Sequence, residues 1–230
     1  MKRFWKEGRA VAADGGWTVE LDGRQLRTPA KQPLVVPTEV LADAIAQEWN
    51  GSGASVDPRA MPLTGLANAA IDRIVADPNM FVAGLAKYGE GDLLCYRAES
   101  QEALAERQEE EWGPLLAWAR RRYDIDFEVT TGVTHVSQPE STVQQLRHGV
   151  ASLDPFRLAG LAPLVTIGGS LVAALMIAEQ AIAGEDAWSA VSLDESWQLE
   201  QWGADEEAVT MLANRRADFL AAARFLQLSA

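Results

Sequence analysis

Few residues in this chain have the types and spacing that chemistry requires. There is one cysteine, Cys95, and two histidines, His135 and His148. A thiol beside an imidazole makes a nucleophile and base, so a small-molecule enzyme with a site around Asp92, Cys95 and His135 is one reading. No local signature supports it, because Cys95, His135 and His148 are far apart and none belongs to a short ligand pair. No metal site and no cofactor are therefore expected. Nucleotide-binding loops of the Gly-x-x-x-x-Gly-Lys-Ser/Thr and Gly-x-Gly-x-x-Gly kinds are absent. Gly168-Gly169-Ser170 resembles a nucleophile elbow, but Val172 stands where the second glycine is needed, so the pair of glycines reads as close helix packing.

Carboxylates are plentiful, as in Glu109-Glu110-Glu111, Asp194-Glu195 and Asp205-Glu206-Glu207. Runs of this kind form solvated faces or helix starts. Glu195 is different. Taken as one helix, residues 186–202 place it in the middle of a stripe of Trp188, Val191, Leu199 and Trp202, with Gln198 on its border. A carboxylate on an apolar stripe needs a partner. Two readings are open: an internal ion pair with Arg215 or Arg216, or an acceptor waiting for a donor from another protein. The eight tryptophans point the same way. Most serve a core, but indoles are enriched where proteins bind one another.

The elements that must position these residues follow from periodicity. Trp17, Val19 and Leu21 alternate with polar residues as in a half-buried strand, between turn signals at Asp14-Gly15-Gly16 and Asp22-Gly23. A further short strand pair is expected around Leu26 and Leu34–Val36. From Pro37 the pattern turns helical. Thr38 caps a helix ending at Trp49, and Asn50-Gly51-Ser52-Gly53 is the best linker. Helices are expected at about 63–74 and 79–90. Ser100 caps a long one through Trp112, which Pro114 kinks or ends before a piece closing on Arg120-Arg121-Arg122. Ile125, Phe127 and Val129 read as a short strand. Helices follow at 140–152, 155–165, 169–183 and 186–202, and a last one is capped by Asp205. The fold class is α+β: a small β-rich N-terminal domain with the first helix, residues 1–53, and a larger α-helical domain, 54–230.

Composition bounds the function. The chain has 230 residues and a formal net charge of −13. Phosphate backbones and anionic lipid repel such a chain, which excludes nucleic acid as a first partner. A lone cysteine suits a reducing compartment. The N-terminus has no signal-peptide shape, so a cytoplasmic or organellar-matrix location is expected. Residues 158–178 carry no charge and are long enough to span a bilayer, but Pro163, Gly168, Gly169 and five alanines fit two helices in a helical core better.

The motifs, in order, resemble a known family. Leu26-Arg27-Thr28-Pro29 and Ala44-Ile45-Ala46-Gln47-Glu48-Trp49 are followed by Met61-Pro62-Leu63-Thr64-Gly65-Leu66-Ala67-Asn68. Then come Asp92-Leu93-Leu94-Cys95-Tyr96-Arg97, and finally Leu193-Asp194-Glu195-Ser196-Trp197-Gln198 with Gln201-Trp202-Gly203. Together, over residues 4–226, they are similar to the assembly chaperones for the alpha subunit of the ATP synthase catalytic head, found in mitochondria and alphaproteobacteria. Gly91, where a threonine is more usual, and Ala69, where threonine or serine is expected, depart from the pattern. The resemblance implies a non-enzymatic protein, monomeric when free, that binds the unassembled alpha subunit of F(1) until the beta subunit replaces it. It implies a bacterial cytoplasmic location, with the mitochondrial matrix for eukaryotic relatives. The family's acidic residue falls on Glu195, and Gln198 and Trp202 join it on the expected client surface, with Asp92 and Trp49 as further candidates.

Overall fold

A computed structural model describes residues 2–203 and 205–230. The chain is α+β, with a small N-terminal sheet followed by helices, and it divides into two compact units. The first holds the residues through Pro78, with Leu153–Gly160 and Arg224–Ala230; the second holds Asn79–Ser152 and Leu161–Ala223. These units do not follow a division at residue 53: the first keeps the helices on either side of Gly53 and recruits two later segments.

In the first unit, β1 (Gly8–Ala13) and β2 (Gly16–Leu21) form an antiparallel hairpin, with Ala13 opposite Gly16 across a two-residue Asp14-Gly15 turn. Strand β3 (Arg24–Gln25) follows a second tight turn in which Asp22 and Gly23 both have positive φ, the backbone a two-residue hairpin requires. β4 (Val35–Val36) pairs with β2, Trp17 opposite Val36, and the expected pair with the Leu26 segment is a short bridge, Arg27 opposite Pro33 with the Leu34 amide donating to the Leu26 carbonyl at 3.0 Å. Gly16 permits that pairing, because a Cβ there would lie 2.3 Å from the Val36 carbonyl oxygen. Helix α1 (Glu39–Gly51) is capped by Thr38, whose hydroxyl accepts from the Leu41 amide. It lays Leu41, Ile45 and Trp49 against Val19, Leu21 and Val36, all buried. The predicted helix over 63–74 is α2 (Pro62–Ala69) continuing into a π turn at Ala70–Ile74. That turn carries Asp72, which accepts from the Thr28 hydroxyl at 2.5 Å and the Ala30 amide at 3.0 Å.

In the second unit, α3 (Pro78–Ala86) is followed by two short 3-10 turns. β5 (Tyr96–Arg97) then pairs in parallel with β6 (Thr130–Thr131). The strand expected at Ile125–Val129 is not formed; pairing begins only at Thr130. Helix α4 (Glu102–Tyr123) starts after Gln101, not Ser100, and runs unbroken through Pro114. Pro114 sits on its exposed side, where water can satisfy the carbonyl that the missing N–H leaves free. Arg120, Arg121 and Arg122 fill its last turn, and Asp124 closes it in the left-handed conformation. Next come α5 (Glu140–Ala151), α6 (Pro155–Gly168), α7 (Leu171–Ala178), α8 (Gly184–Val191), α9 (Leu193–Trp202) and α10 (Glu206–Leu228). Asp205 caps α10, its carboxylate accepting from the Ala208 amide at 3.2 Å.

The uncharged stretch 158–178 is split. Gly169, at φ +69°, ends α6, and every residue of α7 is buried. Among the described residues no helix is long and apolar enough to cross a membrane. The core of this unit gathers Leu94, Trp112, Leu116, Leu146, Leu164 and Phe219 around α7. Trp112 is fully buried and donates its indole N–H to the Ala190 carbonyl at 2.8 Å.

Candidate functional site

The segment expected as one helix over 186–202 is two helices, α8 and α9, broken at Ser192. The Ser192 hydroxyl donates to the Trp188 carbonyl at 2.8 Å, a local bond that competes with helix continuation. The break divides the stripe read from the sequence. Trp188 and Val191 are buried, whereas Glu195 and Leu199 are only half-buried and Trp202 is 70% exposed. Glu195 therefore does not sit in a buried apolar seam. Its carboxylate pairs with Arg215 of α10 at 2.7 Å, and both side chains keep about two-fifths of their surface in solvent. Arg215 also donates to the Ile167 carbonyl at 3.0 Å and lies 5.9 Å from the Trp188 ring centroid. Arg216 pairs instead with Glu185 at 2.6 Å. Of the two readings of Glu195, the internal pair with Arg215 is present, and it stays open to solvent.

Gln198 lines three clefts beside α9. The first, about 310 Å³, lies between Tyr96–Gln101, the Gly132-Val133 loop and the α9 residues Asp194, Gln198 and Trp202. The second, about 390 Å³, runs from Leu93 and the 166–169 segment to Asp194, Glu195 and Arg215. The third, about 160 Å³, opens between α9 and α10 and is walled by Leu199, Ala208, Met211 and Leu212. Apolar side chains rim this region, with Trp202 at 70% exposure, Met211 at 58% and Val133 at 99%. The structure thus brings Glu195, Gln198 and Trp202 together on one surface.

Sequence reasoning missed Asp194, its neighbour. One of its oxygens accepts from the Gln108 side-chain amide at 2.7 Å, and Gln108 in turn accepts from the Ala98 amide at 2.7 Å. Burial raises the Asp194 carboxyl above the ordinary 3.8, the Gln108 bond opposes that rise, and the charge of Glu195 adds to it. The only signal in the sequence is its place beside Glu195. Nothing in the spacing shows that Gln108 would orient it.

Asp92 and Trp49 lie elsewhere. Asp92 has no exposed surface. Its carboxylate caps the 3-10 turn at Leu93–Cys95, accepting from the Leu94 amide at 3.1 Å, and accepts from the Val172 amide of α7 at 3.0 Å. Burial pushes its carboxyl up, against the hydrogen bonds from Val172, Ser170, Leu94 and Leu171. Trp49 is in the first unit, 8% exposed and edge-on to Trp5 at 5.0 Å. Neither presents a face to a partner; both hold the scaffold. The alternative site fares no better. Cys95 is buried, and burial, with Asp92 adding, pushes its thiol up to about 12, so it carries no thiolate near neutrality. His135 is exposed and bonds the Tyr96 hydroxyl at 3.3 Å. Asp92, already spent on backbone amides, activates neither. Among the described residues no cluster of three metal-ligating side chains forms.

The glycine pair at 168–169 is structural as well. A Cβ on Gly168 would lie 3.1 Å from Phe219, and Ser170 is buried and caps α7 through the Ala173 amide.

Known proteins of the same shape point to a chaperone. The chain is 28% identical over 220 residues to Protein atp12, mitochondrial, of Schizosaccharomyces pombe, covering 90% of this chain and 75% of that one. The crystal structure of Atp12 from Paracoccus denitrificans is similar with a TM-score of 0.94 at 44% identity, covering 100% of this chain and 98% of that one. A mutant of the same Atp12p superposes with a TM-score of 0.94 at 43% identity, with the same coverage. The ATP12 chaperone protein profile matches residues 2–120, more than half of the sequence, and the chain belongs to that family.

Proposed function

We propose that this chaperone serves assembly of the ATP synthase catalytic head by holding the unassembled alpha subunit until the beta subunit displaces it. It does so without a cofactor and without catalysis, as a monomer when free, in the bacterial cytoplasm; eukaryotic relatives would work in the mitochondrial matrix. The client surface is the α9 face, with Glu195, Gln198 and Trp202 at its centre, while Asp92 and Trp49 support the scaffold from within their own units.

The observation that carries this reading is Trp202. Trp5, Trp49, Trp112 and Trp188 are buried, whereas Trp202 is 70% exposed at the edge of a cleft. An exposed indole beside concave apolar surface is the anatomy of a binding hot spot. Charged and amide groups set among the apolar walls suit a client that must later be released, since a wholly apolar seam would compete with the final interface. Covering the client's exposed subunit-contact surface favours its soluble form by mass action.

The test is co-purification from native lysate followed by binding with purified subunits. The alpha subunit should be retained and the beta subunit should not. Glu195→Gln should fold, because a half-exposed ion pair contributes only about 0–1 kcal/mol, and it should bind the alpha subunit less tightly. A chain that ignores the alpha subunit, or a Glu195→Gln variant that binds it as tightly as the parent, argues against the proposal.

A further inference from the structure

The first cleft on α9 is lined by hydrogen-bond acceptors that stand unmatched among the described residues. The side-chain amide oxygen of Gln101 is buried with no partner among the described residues. Asp194 has one oxygen on Gln108 and, among the described residues, no bond to the other. Glu99 lines the same cleft with its carboxylate against Gly132. The one cation among the described residues lining it, Arg97, is already committed. Its Nε and one terminal nitrogen go to Glu109 at 3.1 and 2.9 Å, and the other goes to the Leu94 carbonyl at 2.6 Å. The cleft therefore carries uncompensated negative charge and unmet acceptors, beside an exposed indole face.

We propose that this cleft receives an arginine side chain of the client, its guanidinium bonded to Asp194 and Gln101 and stacked on Trp202. The proposal rests on the chaperone reading and gives that site its ligand chemistry. Three properties select a guanidinium. It brings up to five N–H donors in a planar fork, which matches several acceptors spread around one cavity. It is the weakly hydrated cation, so entering a half-buried cleft costs it less than it costs an ammonium. Its flat face stacks on an indole. The small apolar cleft between α9 and α10 is also lined by Gln198 and would take an apolar side chain from the same client segment. Glu195 lines the second and third clefts and not this one, so it serves another part of the client surface.

The experiment uses the full chain and two ligands. N-acetyl-arginine amide, titrated while the Trp202 indole N–H is followed by NMR, reports the cleft chemistry. N-acetyl-citrulline amide, which has the same shape without the charge, is its control. Purified alpha subunit reports the chaperone reading. Arginine amide should shift the Trp202 signal at least tenfold more tightly than citrulline amide. Asp194→Asn, which keeps the oxygen that Gln108 bonds, should lose that preference and weaken alpha-subunit binding about tenfold, and Asp194→Glu should restore part of both. Trp202→Leu, followed through the Gln108 side-chain amide that bonds Asp194, should weaken arginine amide and alpha-subunit binding with the fold unchanged. If citrulline amide binds as well as arginine amide, or Asp194→Asn binds the alpha subunit like the parent, the arginine inference is overturned while the chaperone reading stands. If the parent binds arginine amide but not the alpha subunit, the chaperone reading falls and the chemistry of the cleft remains.

Discussion

Asp92 shows how far a residue's chemistry depends on what its neighbours ask of it. In sequence it stands close to a cysteine and is a candidate for both enzymatic and binding roles. In the fold its two oxygens hold the Leu94 and Val172 amides, tying the Leu93–Cys95 turn to the first turn of α7. Asp92→Asn turns one of those acceptors into a donor facing a backbone N–H, so it should cost about 1–3 kcal/mol in urea unfolding. Titration adds a second readout. The folded carboxyl sits above the unfolded value of 3.8 because of burial. The folded state thus holds this proton to higher pH than the unfolded chain does. From this group stability is greatest below the unfolded value and declines as pH rises through the raised one. The stability gap between the parent and Asp92→Asn should accordingly widen as pH is lowered from 7 toward about 4; a gap that narrows would reverse the assignment of burial as the dominant cause. Asp194 is shifted in the same direction for the same leading reason, but it lines two clefts. The buried carboxylate is structural, and the half-buried one opens onto the clefts.

At the scale of elements, periodicity and turn chemistry carry most of the fold. The β1–β2 hairpin, the Thr38 and Asp205 caps and the helix over 140–151 all express local rules, and local rules are legible in one sequence. The places that are not legible depend on distant partners. Val35 and Val36 pair with β2 because Gly16 lets the strands approach, a fact about two segments at once. Pro114 is tolerated because its side of α4 faces water. The break at Ser192 hangs on one side-chain bond. That break also limits the reading of the site. The helical wheel puts Glu195, Gln198 and Trp202 on one face, and in the fold they line neighbouring clefts. It cannot show that Arg215 takes Glu195, that Gln108 bonds Asp194 or that Gln101 lines the same cleft, since those residues come from elsewhere in the chain. Gly16→Ala tests the sheet argument. With 2.3 Å to the Val36 carbonyl oxygen and φ at +155°, the variant should lose about 2–3 kcal/mol. Hydrogen exchange should rise first at Val35 and Val36. Full protection of those amides in the variant would mean that the β2–β4 approach is not what the glycine serves.

For the whole molecule, charge governs encounter and packing governs residence. A net charge of −13 gives a field that draws a cationic client surface and speeds association, and salt screens that field beyond about 10 Å at roughly 0.1 M. The contacts that the α9 surface offers are short-ranged and partly apolar: the Trp202 face, the Leu199–Met211–Leu212 wall and the half-buried carboxylates. Salt should reach these less. The two rates with the alpha subunit should therefore respond differently to ionic strength. Raising salt from about 50 to about 500 mM should lower the association rate constant roughly tenfold or more and change the dissociation rate much less. Trp202 supplies the signal, since an indole that is 70% exposed loses solvent when the client covers it, and a stopped-flow mixing experiment reads both rates from its fluorescence. Trp202→Ala should remove much of the signal and raise the dissociation rate, leaving the salt dependence of association in place because the global charge is untouched. If salt left association unchanged, the acidity of the chain would play no part in finding its client, and the field argument would give way to one resting on the α9 surface alone.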